Sequence, residues 1–166
     1  MKHLTNYKLF ESESNSEIIS DIKDMLLDLT DELFNVDCEM FNDNGIEIRV
    51  GRNTTFKWED ISDVMIRLNN YLISSGVEIT ISYIDYRLVL SSKLVGDYIL
   101  ITNNKKYQNK KYRSSYNAKE RIILKLNNNT LCDHFTHYYD KKYHQLIIYI
   151  DFDISDVIKD LYQKPI

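Results

Sequence analysis

Five cations, Lys105, Lys106, Lys110, Lys111 and Arg113, fall within nine residues of the stretch "NNKKYQNKKYRSSYNAKER" (residues 103–121). Tyr107, Tyr112 and Tyr116 are interleaved with them. Ammonium and guanidinium groups neutralise phosphates, and phenol rings stack on unpaired bases. The pattern therefore suits a polyanion, single-stranded nucleic acid in particular. The competing reading is a solvated loop whose lysines keep the chain soluble, because thirteen tyrosines place some beside lysines by chance. No aliphatic side chain larger than Ala118 is available to anchor the stretch, so an exposed hairpin loop between two strands is expected.

A second cluster lies in "CDHFTHYYDKKYH" (residues 132–144), where Cys132, His134, His137 and His144 are all of zinc-ligating type. With Asp140 and Lys141 as a hairpin tip, His137 lies opposite His144, while Cys132 and His134 point to the other face. Four ligands then do not converge. His137 and His144 are weak metal candidates, and no cofactor is expected. Walker loops, dinucleotide-binding glycine patterns, nucleophile elbows and zinc-protease helices are all missing from the sequence. A non-enzymatic protein is expected, with a metal-dependent enzyme centred on His134, His137 and His144 as an alternative.

The elements that must position these residues follow from periodicity. "DISDV" occurs at residues 60–64 and 153–157, and "IISDI" at residues 18–22. Each opens an apolar stripe of helical spacing: Ile22, Leu26, Leu29 and Leu33; Val64, Met65, Leu68 and Leu72; Val157, Ile158 and Leu161. The repeat is a way of starting helices, with acids on first turns where the helix dipole favours them. Helices are expected over residues 16–34, over 58–75 with Gly76 as a left-handed stop, and from Ile154 towards Pro165.

Between them, "NVDCEMF" and "IEIRV" alternate as half-buried strands joined at "NDNG". A three-residue loop pairing Met40 with Ile48 and Cys38 with Val50 keeps both apolar sets on one face. "VEITISYI", "YRLVLSS", "DYILIT", "RIILKL", "LCDHFTHY" and "YHQLIIYID" read as further strands. The expected fold is α+β, a mostly antiparallel sheet with three amphipathic helices on one face. Ile22, Leu26, Leu29, Val64, Leu68, Leu72, Ile148 and Ile150 are expected in its core, and Trp58 as a core anchor.

Length and composition fit one domain of 166 residues, of which 43% are hydrophobic and 28% charged. The longest apolar run spans residues 146–150, too short to cross a membrane. Cys38 and Cys132 are expected as reduced thiols in strands. The net charge of −4 conceals polarity: residues 1–63 carry fifteen acids against six bases, and residues 103–125 eight bases against one acid. Charge separated in this way bears on partners rather than on fold.

The opening "MKHLTNYKLFESES" differs in texture, basic and with Leu4, Tyr7, Leu9 and Phe10 ahead of the first periodic helix. It resembles the capsid-targeting sequences of T-even-like tailed phages, which begin Met-Lys and end in Leu or Ile, any residue, Glu. Leu9, Phe10 and Glu11 followed by the small Ser12 match that ending, and the resemblance implies cutting after Glu11 by a prohead protease. His3 and Lys8 depart from the pattern. The likeness covers residues 1–12 of an N-terminal segment expected over residues 1–15, ahead of a single domain over residues 16–166, and abundant Asn, Lys, Ile and Tyr suit an AT-rich genome.

The expectation is thus a bacteriophage accessory protein acting by binding, to a viral or host protein. Its expected place is the host bacterial cytoplasm or, if packaged, the virion interior. Nucleic-acid binding through the basic loop is the alternative, and no membrane is involved.

Overall fold

Residues 2–42, 44–87, 98–113, 120–128, 130 and 143–152 are described by the computed structural model. In chain order the elements are α1 (Lys2–Asp31), β1 (Asn35–Asn42), β2 (Gly45–Phe56), a 3-10 turn (Trp58–Asp60) and α2 (Ser62–Ser74). Then come β3 (Thr80–Arg87), β4 (Tyr98–Thr102), β5 (Lys111–Arg113), β6 (Glu120–Ile122), β7 (Leu124–Lys125) and β8 (Tyr143–Asp151). Six strands form one sheet in the order β1-β2-β8-β3-β4-β7, and β5 pairs with β6 in a separate ribbon. Every pairing is antiparallel except β4 with β7. The chain is therefore α+β with a mostly antiparallel mixed sheet.

Period-two alternation gives this sheet one apolar face. Cross-strand neighbours line up in rows: Ile46, Ile150, Ile81 and Ile101 in one; Cys38, Ile48 and Ile148 in the next; Val36, Val50 and Leu146 in the third. Both helices lay their stripes on this face. Ile22, Leu26 and Leu29 of α1 and Val64, Leu68 and Leu72 of α2 join Ile148 and Ile150 in a single buried cluster, as the spacing predicts. Trp58 belongs to it too, and Gly76 takes a positive φ of 71° beyond the end of α2. Two polar links lace the helices together above the core: the Tyr71 hydroxyl donates to Asp21 at 2.6 Å, and the Arg67 guanidinium donates to Asp28.

Several boundaries differ from those the sequence suggests. The first helix starts at Lys2 rather than Ser16, since no glycine or proline interrupts the chain before it. It stops at Asp31, and Leu33 leaves the stripe. Leu33 takes a left-handed φ of 67° and is 82% exposed. The Phe34 N–H donates to the Leu29 carbonyl and the Leu33 N–H to that of Thr30, the paired bonds of a Schellman cap with leucine in glycine's place.

The β1–β2 register is two residues from the expected one, with Cys38 opposite Ile48 and Met40 opposite Ile46. A bulge between Met40 and Asn42 takes up one residue, so a tighter loop still keeps the apolar sets on one face. "RIILKL" is two strands, not one. It leaves the β5 ribbon after Ile122 and joins β4 in parallel at Leu124. "YRLVLSS" is described only at Tyr86 and Arg87, which extend β3. The strand expected over "LCDHFTHY" and the helix expected from Ile154 lie outside the described residues.

Candidate functional site

The basic stretch is not an unanchored loop. Residues 105–109 turn tightly, Asn109 at a φ of 63°, a conformation asparagine tolerates well. Its N–H donates to the Ile123 carbonyl, and the Ile123 N–H donates to that of Lys110, both at 2.9 Å. These bonds extend the ladder between β5 and β6. On β5 the alternation is exposed, buried, exposed, so Lys111 and Arg113 face water while Tyr112 turns inward, 3% exposed. Tyr112 packs with Leu100 and Ile123, both fully buried, in a second small core that also receives Tyr107. Leu100 alternates with Ile101, so this core lies on the sheet face opposite the helices.

The expected polyanion-binding set is thus divided by burial. Lys105, Lys106, Lys110, Lys111 and Arg113 are all exposed. Lys111 pairs at 3.4 Å with Glu120, itself exposed. Tyr107 is half-buried, and the ammonium groups of Lys106 and Lys110 lie 5.3 and 5.2 Å from its ring centroid. Two cations on one ring make a compact positive knob. Tyr112 is an anchor beneath it, with no ring face open for stacking. Tyr116 lies outside the described residues.

Of the metal candidates, His144 stands on β8, whereas Cys132, His134 and His137 lie outside the described residues. Among the described residues no three His, Cys, Asp or Glu side chains come together as a metal site. Leu9, Phe10, Glu11 and Ser12 lie within α1. A protease cutting after Glu11 would first have to unwind that helix, because cleavage sites bind in extended form.

A further surface is carried by β1. It stands at the end of the sheet order, and among the described residues it pairs only with β2. Beside it runs a groove of about 280 Å³ lined by Lys23, Leu26, Leu27, Thr30, Val36 and Cys38. Leu27 is 58% exposed and Met40 on the strand 53%. Burial, partly opposed by the nearby Lys23 ammonium, pushes the Cys38 thiol up from its ordinary ionisation, which disfavours the thiolate. No family model, curated protein or solved structure matches this chain.

The sheet face away from the groove is acidic along this edge. Asp37 and Glu39 are exposed on β1, opposite Arg49 and Glu47 of β2. Arg49 is ion-paired with Glu47, and that bond holds its guanidinium more firmly protonated than usual. A third feature, a cleft of about 250 Å³, lies where α1, β2 and α2 meet. Glu32, Glu59, Asp60 and Asp63 line it, with Arg52 stacked at 4.7 Å on Phe34.

Sequence reasoning missed the edge and its groove. Leu27 gave one signal, an apolar residue adjacent to Leu26 and off the buried stripe. Among the described residues no helix is long and apolar enough to cross a membrane.

Proposed function

We propose that this protein acts by binding, without catalysis, as a bacteriophage accessory protein whose partner is another protein, viral or host. One observation carries the binding reading: β1, which among the described residues pairs on one side only, runs beside a groove lined by Leu26, Leu27, Val36 and Cys38 together with Lys23 and Thr30, in which Leu27 is more than half exposed. Unpaired edge amides and carbonyls invite a further strand, and folds that do not use such an edge normally cover or blunt it. The phage context rests on the likeness of residues 1–12 to a capsid-targeting sequence and on the AT-rich character of the composition. Packaging in the head, with delivery into the host, belongs to the same reading and requires α1 to open around Glu11.

The test is a photo-reactive amino acid placed singly at Met40 and at Lys110, with each protein expressed in host cells during infection. A discrete adduct from the Met40 position, absent from the Lys110 position, supports the reading. Adducts from Lys110 alone contradict it.

A second reading, polyanion binding, is favoured by the positive knob formed by Lys106 and Lys110 on Tyr107, with Lys105 beside it. Phosphates would be its contacts, so it would discriminate little between sequences.

A further inference from the structure

We infer that the β1 edge takes an extended segment of a protein partner in which apolar and basic residues alternate. This deepens the proposed function and rests on it. A strand added to β1 presents alternate side chains to the two faces of the sheet. On the helix side its residues would lie next to Val36 and Cys38 and over the groove floored by Leu26 and Leu27. Apolar side chains fit there, since they remove the exposed surface of Leu27 from water. On the other side they would lie next to Asp37 and Glu39.

The local charge on that side is negative. Arg49, which faces Asp37, is ion-paired with Glu47 and also lies in the field of Glu39, so one guanidinium stands among three carboxylates. Lysine or arginine therefore fits the alternate positions, and Asp37, Glu39 and Glu47 attract such a segment to the edge.

A second copy of this chain is a poor occupant by the same geometry. Consider antiparallel pairing of β1 with its own copy, with the apolar residues kept on the groove side. Centred registers set Asp37 against Asp37, Glu39 against Glu39, or Asp37 against Glu39 twice. Like charges directly opposite each other destabilise a strand pair. The acids thus guard the edge against self-association while leaving it open to a basic partner.

The experiment uses the full isotope-labelled chain and three probes: a short alternating Lys-Val peptide, its Glu-Val counterpart, and a Lys-Val peptide of the same composition with the lysines in one block. Amide shifts are followed by NMR. The Lys-Val peptide is expected to perturb β1 and Leu27, to weaken with added salt, and to bind roughly tenfold more tightly than either control. The double variant Asp37→Lys, Glu39→Lys should reverse the preference in favour of Glu-Val.

Perturbation of β1 with equal affinity for Lys-Val and Glu-Val overturns the inference and leaves the β1 binding surface standing. No perturbation of β1 by any peptide, together with no adduct from Met40, overturns both. Shifts of β1 that depend on protein concentration without peptide identify a second copy as the occupant and overturn the inference as well.

Discussion

Replacing Tyr112 with alanine separates two accounts of the basic segment. If residues 103–121 formed a solvated loop, the substitution would cost almost nothing. In the fold, Tyr112 is 3% exposed and packs on Leu100 and Ile123, neither of which is exposed at all. A buried tyrosine removes on the order of 150 Å² from water, which at about 25 cal/mol per Å² corresponds to roughly 4 kcal/mol. The small size of this second core lets neighbouring groups relax, so a loss of about 3 kcal/mol is expected. In a chain of this length that lowers the melting temperature by roughly 6–12 °C.

Urea denaturation gives the total, and hydrogen exchange locates it. The Asn109 and Ile123 amides, which bond to Ile123 and Lys110, should lose protection first, while amides of β2 and β8 keep theirs. A change below about 0.5 kcal/mol, with Asn109 and Ile123 amides already unprotected in the wild type, would refute the anchored hairpin.

Leu33→Gly should stabilise the protein by about 0.5–1 kcal/mol in urea denaturation, because it relieves a left-handed leucine that is 82% exposed and so loses little packing. Tyr71→Phe removes the hydroxyl that donates to Asp21 and should cost about 1 kcal/mol at neutral pH. Burial, then the Asp21 carboxylate, raises the Tyr71 ionisation above its ordinary 10.0. The hydroxyl's contribution is thus complete below that pH and is lost as pH rises beyond it, so the wild-type advantage should be constant to about pH 9 and shrink above pH 10 in paired urea titrations. For polyanion binding, the triple variant Lys105→Ser, Lys106→Ser, Lys110→Ser should flatten the log–log salt dependence for single-stranded DNA by about 2, measured by fluorescence anisotropy, at unchanged thermal stability.

Much of the core was legible because it rests on local periodicity. Stripes such as Ile22, Leu26 and Leu29 announce their buried face wherever the helix is finally placed. Trp58 and the stop at Gly76 were readable for the same reason. The N-terminal extension of α1 was also open to inspection, in the lack of any breaker between Lys2 and Ser16. The β1–β2 register was not, since the bulge at Phe41 leaves no mark in residue type.

The anchored hairpin leaves no aliphatic signal, because its anchor is the aromatic Tyr112, which buries as much surface as an aliphatic side chain. The edge was hidden for a different reason. Which strand ends a sheet depends on β8 inserting between β2 and β3, a pairing made across about a hundred residues of chain that no local pattern encodes.

The most direct measurement of the central claim is hydrogen exchange over residues 35–42, on the protein alone and in the complex that co-purifies with it from infected cells. Alone, the outward-facing amides of β1 should exchange quickly, since among the described residues β1 pairs on one side only. In the complex they should slow by roughly tenfold or more, as expected when edge amides gain strand partners. Residues 111–113 and 120–122 should keep their rates. Unchanged exchange over residues 35–42, with new protection on the β5–β6 ribbon instead, would contradict the account.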